Sequence, residues 1–267
     1  MDTLIDYFQK TNEKVHMNFS NKHFHSGYEF IFITHGYAEI EIDGVLHKGN
    51  APCVVILNPF EQHKILTTHT DYSRTVIVLN SDTLEKRISP QIISMLKCRP
   101  KDFTHVITLS ENIFREVSFI LENIQSEINN LGIFHTEYIT NIIYNMLILL
   151  YRSQKVPSYN PKMMLIQKYF DENYSNISSV GDVAKHFYMS SEHLSRTFKC
   201  YSGYTPVEYL KNTRLYHAQK LLISTNLSVT QICSEVGFND INNFNRQFKS
   251  KFGISPSKMR KDINTLK

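Results

Sequence analysis

Arg196-Thr-Phe-Lys199 returns fifty residues later as Arg246-Gln-Phe-Lys249, and Gly203-Tyr-Thr-Pro206 returns at the same offset as Gly253-Ile-Ser-Pro256. Upstream, Val183-Ala184 is answered by Ile232-Cys233 at an offset of forty-nine, so the second copy has gained one residue in its middle. A repeat of this period marks a duplicated supersecondary unit. Length variation belongs in turns, which places a turn at the shift. Both flanks of that turn read as helix. Ser179-Val-Gly-Asp182 and Ser228-Val-Thr-Gln231 are capping-box patterns that open a first helix. Tyr188-Met-Ser190 and Val236-Gly-Phe238 make the turns, and residues 191–201 and 240–252 make the second helices. Val183, Ala184 and Phe187 are expected to face Leu194 and Phe198. Ile232, Cys233 and Val236 are expected to face Phe244 and Phe248, so each unit has a small core of its own.

Thr205-Pro206 and Ser255-Pro256 each set an N-cap hydroxyl before a proline at the first helical position. A helix over residues 206–224 then joins the two helix-turn-helix units. At 1.5 Å per residue it is on the order of 27 Å long, which brings consecutive major grooves, roughly 34 Å apart, within reach. A reading helix needs an apolar face for its own domain and a polar face for base edges. The polar faces here are Ser191, Glu192, Ser195, Arg196 and Lys199 in the first unit, and Asp240, Asn242, Asn245, Arg246 and Lys249 in the second. Arginine grips guanine, asparagine grips adenine and glutamate accepts from cytosine; Lys199 and Lys249 suit phosphates. Taken alone, Lys199 or Asp240 reads as a solvated helix face, whereas the repeat points Arg196 and Arg246 toward contact.

Residues 161–262 resemble the DNA-binding domain of the AraC/XylS family. The resemblance rests on Ala218-Gln-Lys-Leu-Leu, Ser228-Val-Thr-Gln-Ile-Cys-Ser-Glu-Val-Gly-Phe238, Phe244-Asn-Arg-Gln-Phe-Lys249 and Gly253-Ile-Ser-Pro-Ser-Lys-Met-Arg260. It implies regulation of bacterial promoters, commonly activation through contacts with RNA polymerase. It implies base contacts near Glu192, Ser195 and Arg196, and near Asn242, Asn245 and Arg246. Met259 departs from the family's usual aromatic, a packing change. Ile241-Asn242-Asn243 departs from its usual small polar and aromatic residues, which bears on base preference.

The first third reads as β. Tyr28-Glu-Phe-Ile-Phe-Ile-Thr34, Tyr37-Ala-Glu-Ile-Glu-Ile-Asp43, Pro52-Cys-Val-Val-Ile-Leu-Asn58 and Arg74-Thr-Val-Ile-Val-Leu-Asn80 are rich in β-branched and aromatic residues, with turns at His35-Gly36 and Asp43-Gly44. Such spacing fits a small barrel or sandwich. His23-Phe-His25-Ser-Gly-Tyr-Glu29 with Gly36, and Asn58-Pro59-Phe-Glu-Gln-His63, resemble the two cupin motifs. The resemblance implies the N-terminal barrel that many AraC-type regulators carry. His23, His25 and Glu29 share strand parity if the strand is unbroken. With His63 they make three nitrogens and a carboxylate, a set suited to zinc, iron or manganese. The alternative is a metal-free polar lining, since regulators with this barrel generally keep the shape without the metal, and no cofactor is then expected. A small-molecule effector would meet His25, Glu29, Tyr37 and His63. Sugars, other metabolites, lipids, protein partners or no effector all remain open.

Apolar residues recur at helical spacing over residues 111–131 and 134–152. This helix pair either covers the barrel or offers Ile120, Ile124, Ile128, Ile142 and Met146 to a second copy in a homodimer. Residues 154–161, with two prolines, read as a linker. The fold class expected is α+β in two domains. A cupin-like β-barrel with flanking helices spans 1–153, and an all-α double helix-turn-helix joined by a long helix spans 162–267.

Charge agrees with this division. Residues 161–267 hold 15 Lys and Arg against 8 Asp and Glu, and the remainder holds 14 against 17, which points the second part at a polyanion. Residues 1–10 do not read as a secretory signal. The most apolar stretch, residues 139–151, is too short to span a bilayer, so no membrane contact is expected. Four cysteines without CxxC spacing fit thiols in a reducing cytoplasm. The expectation is a cytoplasmic, non-enzymatic transcription regulator that binds double-stranded promoter DNA. A cupin metalloenzyme with an appended DNA-binding tail is the alternative. A purely architectural DNA-binding protein would have little use for the N-terminal domain.

Overall fold

The computed structural model describes residues 4–11, 25, 27–59, 61–66, 72–98, 103–153 and 160–265. The chain forms two compact units, one drawn from 1–97 and 103–156, the other from 157–267 together with 98–102. Of the expected linker, residues 154–159 lie outside the described residues. Pro161 does not end a linker but opens a helix, capped by the Asn160 side chain, which accepts from the Met163 amide at 3.1 Å.

The first unit runs β1 (Ile5–Thr11), β2 (Tyr28–His35), β3 (Tyr37–Ile42), β4 (Val45–Asn50), β5 (Cys53–Leu57), β6 (His63–Ile65), β7 (Ser73–Leu79), α1 (Ser81–Arg87), α2 (Pro90–Lys97), β8 (Val106–Thr108), α3 (Glu111–Asn129) and α4 (His135–Ser153). An antiparallel sheet in the order β1-β7-β2-β5-β8 faces a smaller one in the order β4-β3-β6. The unbroken apolar run in β2 is explained by burial on both sides. Phe30 and Phe32, with Val54, Ile56, Ile77 and Leu79, join a core shared with α1 to α4. Ile31 and Ile33, with Val55, Leu57, Val76 and Val78, pack against Ala38, Ile40, Ile42 and Ile65 of the small sheet. Strand alternation thus builds two cores from one sequence run. The β3–β4 hairpin turns on Asp43 and Gly44, both at positive φ, as a two-residue hairpin of this hand requires.

The expected dimer face is corrected here. Ile120, Ile124 and Met146 are buried in the unit's own core, with Ile142 packed partly against it. Of that set only Ile128 is exposed. An apolar helical stripe carries the same pattern whether it covers its own sheet or a second copy, and here it covers the sheet. Among the described residues, no helix is long and apolar enough to cross a membrane.

The second unit is helical throughout: α5 (Pro161–Asn173), α6 (Val180–His186), α7 (Ser191–Ser202), α8 (Pro206–Ser224), α9 (Val229–Glu235), α10 (Ile241–Phe252) and α11 (Pro256–Thr265). The Thr205–Glu208 and Ser228–Gln231 capping boxes form in full. At Ser179 the hydroxyl accepts from the Asp182 amide and donates to the Asp182 carboxylate at 2.7 Å. Aspartate is one carbon shorter than glutamate, and its carboxylate turns to the hydroxyl.

Candidate nucleic-acid interface and N-terminal polar cluster

Each repeat closes its first helix with the same device. After α6, the Met189 amide donates to Ala184 O (2.8 Å) and the Tyr188 amide to Lys185 O (3.0 Å). After α9, the Phe238 amide donates to Cys233 O (2.9 Å) and the Gly237 amide to Ser234 O (3.0 Å). These paired bonds are a Schellman motif, which sets one residue in the left-handed region. That residue is Tyr188 at φ 53 in the first turn and Gly237 at φ 86 in the second. The extra residue of the second copy falls after this cap, in the turn where the offset change put it.

The turns aim α7 and α10. Ser190 caps α7 by accepting from the His193 amide at 3.2 Å. Asp240 caps α10 with both carboxylate oxygens, accepting from the Asn242 and Asn243 amides at 3.0 Å each. This capping accounts for an acid at Asp240 without a base contact. Leu194 and Phe198, and their counterparts Phe244 and Phe248, are fully buried. Val183 and Ala184, and Ile232 and Cys233, are buried as well, as each small core requires. With those residues inside, the opposite faces are presented at helical spacing. Ser191, Glu192, Arg196 and Lys199 are exposed and Ser195 is half-buried; Asn242, Arg246 and Lys249 are exposed and Asn245 is half-buried. The two helices therefore carry equivalent polar faces, with arginine and lysine at matching positions.

Asn243 belongs to this surface, although the sequence named it only as a departure from the family pattern and gave it no contact. Its side-chain oxygen accepts from Arg246 Nη2 at 3.1 Å and steadies the guanidinium. The three-residue spacing was the available signal. Arg214 on α8 was also missed. It donates from Nε to Tyr174 O (2.9 Å) and from Nη2 to Ile177 O (2.7 Å), and its partial burial lowers its pKa by desolvation. In the second copy Arg260 on α11 donates to Leu227 O at 2.8 Å. In both units an arginine of the third helix ties down the loop that enters the first. Met259 is buried, in keeping with a packing substitution.

In the first unit His25, Glu29 and His63 converge. His25 Nε2 lies 2.7 Å and His63 Nε2 lies 3.0 Å from the same atom, Glu29 Oε2. The parity argument is corrected, because β2 begins only at Tyr28 and His25 precedes it; His23 lies outside the described residues. Glu29 is buried. Burial by itself would raise its pKa, but the contacts with His25 and His63 outweigh that and hold the carboxyl at about 2. For His63, burial pulls its pKa down, yet the Glu29 carboxylate and the Glu61 carbonyl bring it out above the usual histidine value. A cavity of about 410 Å³ adjoins the cluster, lined by His25, Glu29 and Arg74 over an apolar floor of Ile65, Val76 and Val78. Tyr37 stands apart from it. The odd positions of β3 turn away from the buried Ala38, Ile40 and Ile42, and Tyr37 Oη donates to Glu39 at 3.2 Å.

Comparisons with known proteins bear on both units. A family model described as a helix-turn-helix domain matches residues 183–262. The chain is 37% identical over 109 residues to YfiF of Bacillus subtilis, an uncharacterized HTH-type transcriptional regulator; the match covers 40% of this chain and 34% of that protein. It is 31% identical over 178 residues to the lactose operon transcription activator of Staphylococcus xylosus, covering 64% of this chain and 63% of that one. The chain thus spans less than two thirds of the length of these relatives. The crystal structure of unsaturated fatty acid bound ToxT from Vibrio cholerae shares the fold, with a TM-score of 0.52 over 90% of this chain and 88% of that chain at 14% identity.

Proposed function

Through its C-terminal unit the chain belongs to the AraC/XylS family of helix-turn-helix transcriptional regulators, and on that premise we propose that it is a sequence-specific transcription activator controlled from its N-terminal β domain. The observation that carries this is the duplicated polar face, with Arg196 and Lys199 on α7 matched by Arg246 and Lys249 on α10, each opposite a buried apolar face. α7 and α10 read successive major grooves of promoter DNA. Glu192, Ser195 and Arg196, and Asn242, Asn245 and Arg246, contact bases. Lys199 and Lys249 neutralise phosphates, and Ser191 lies at the backbone edge.

In this reading the protein acts in the cytoplasm as a homodimer, contacts RNA polymerase when bound, and performs no catalysis. Its effector occupies the cavity beside His25 and Glu29, with His63 behind them. Effector binding shifts the population between DNA-competent and incompetent forms. The test is competition binding on a promoter fragment selected by the protein itself. Replacing Arg196 and Arg246 together with alanine is expected to abolish preference for that fragment over unrelated DNA. A double variant that keeps the preference refutes the assignment.

A further inference from the structure

We propose that the outer end of the α3–α4 hairpin is a docking surface for another protein, which engages it through a segment of apolar side chains bordered by lysine or arginine. The proposal concerns the first unit alone and does not depend on the DNA-binding reading.

The turn between the two helices reads Leu131-Gly-Ile-Phe134. Surface turns are ordinarily built from small and polar residues. Here Ile133 is 89% and Phe134 73% exposed, and Leu131 is exposed beside them. Phe134 also holds φ 63, a left-handed backbone that costs an L-residue about 1–2 kcal/mol and that glycine adopts freely. The conformation is fixed from α3. Glu127 Oε1 accepts from the Gly132 amide at 3.1 Å and from His135 Nδ1 at 3.0 Å, and the His135 amide donates to Gly132 O at 3.2 Å. The fold thus bears a backbone cost to hold a rigid turn whose apolar side chains face solvent. A groove of about 440 Å³ adjoins it, lined by Asn123 and Ser126 of α3 and by Phe134, Glu137 and Tyr138. Phe119, one helical turn from Asn123, is exposed and extends the apolar surface along α3. An exposed apolar surface rimmed by polar residues marks a site of interaction.

Charge selects the occupant. Residues 116–151 contain four glutamates, Glu116, Glu122, Glu127 and Glu137, and no lysine or arginine. Glu127 is engaged in the turn, and the other three are exposed. A two-fold dimer formed through this surface would set it against itself. Acid would then meet acid, with no lysine or arginine of the hairpin to answer it, and such pairing is costly. DNA is excluded by the same sign. A segment with lysine or arginine beside apolar residues satisfies both features. Its apolar side chains enter the groove beside Phe134, and its cations reach the acidic rim.

The experiment is photo-crosslinking of the full chain in cells that produce it. Phe134 is replaced by a benzophenone-bearing phenylalanine analogue, which keeps an aromatic ring in place, and the joined peptide is identified by mass spectrometry. The expected product joins residue 134 to a second protein, within a segment where lysine or arginine alternates with apolar residues. That protein is then purified and titrated with the full-length chain. Ile133→Ser is expected to weaken binding by at least about 10-fold, the scale of a lost interface anchor. Glu122→Gln combined with Glu137→Gln is expected to slow association several-fold and to flatten its dependence on salt, as loss of rim charges does. All three side chains are exposed, so these variants keep the fold, checked by circular dichroism. A product joined to a second copy of this chain overturns the proposal, as does one in a segment without lysine or arginine, or no product at all. Unchanged affinity in Ile133→Ser, or unchanged salt dependence in the double glutamine variant, overturns it equally.

Discussion

Gly237 and Tyr188 occupy the same position in the two turns, and their substitution should have opposite consequences. Gly237 sits at φ +86, and a Cβ built there would lie 2.5 Å from Ser175 O and 3.0 Å from its Cα and C atoms. Left-handed backbone costs an L-residue about 1–2 kcal/mol. All three obstructing atoms are backbone, which cannot swing aside as a side chain does, and overpacking of that kind adds about 1–3 kcal/mol. The smaller unfolded-state entropy of alanine returns about 0.4–1 kcal/mol. Gly237→Ala is therefore expected to destabilise the second helix-turn-helix by about 1–4.6 kcal/mol. Tyr188, at φ 53 and 95% exposed, already bears the backbone cost without an obstructing neighbour. Tyr188→Gly relieves it at the expense of chain entropy and is expected to fall within about 1 kcal/mol of neutral. Native-state hydrogen exchange on the full chain separates the two. Amides of α9 and α10 should exchange about 5- to 2,400-fold faster in Gly237→Ala, at 1.36 kcal/mol per tenfold. Amides of β2 and β7 should be unchanged. Exchange in α9 and α10 within threefold of wild type would refute the reasoning.

Other expectations concern the reading helices. Arg246→Ala should weaken binding to a selected site by about 1–3 kcal/mol and relax preference at one base pair, measured by anisotropy on a panel of single-base variants. Uniform weakening across the panel would make Arg246 a phosphate contact. Lys249→Ala should lower the slope of log affinity against log salt by about 1 and leave base preference intact, measured as a salt titration. Asp240→Ala should cost about 1 kcal/mol of α10 stability through loss of its cap and leave base preference unchanged; a changed preference would make Asp240 a base contact. Phe248→Ala should cost about 3–5 kcal/mol and abolish protection of α9 and α10 in hydrogen exchange.

The two repeats and α8 were legible because caps mark where their helices start and apolar spacing marks the faces they bury. Thr205-Pro206 set the start of α8, and its observed range, Pro206–Ser224, is the one expected. The four richest strands were legible from β-branched runs. β1 was not, because Ile5–Thr11 lies at a sheet edge and mixes polar with apolar residues, and β6 and β8 have only three residues each. At the sites, residue type was more legible than role. An acid before a helix reads both as a cap and as a base contact, and only the engaged amides make Asp240 the former. Tyr37 has pocket chemistry but the wrong strand parity. His25 meets Glu29 by a bend in the chain before β2, which no parity rule anticipates.

The central claim is sequence-specific reading of DNA by two repeated helices. It is tested most directly by letting the full-length protein select genomic fragments at physiological salt, where phosphate contacts alone bind weakly. Fragments upstream of a few genes should be enriched and share two half-sites about one helical turn apart, and that enrichment should be lost when Arg196 and Arg246 are both replaced by alanine. Enrichment without a shared sequence, or an enrichment that survives the double replacement, would contradict the claim.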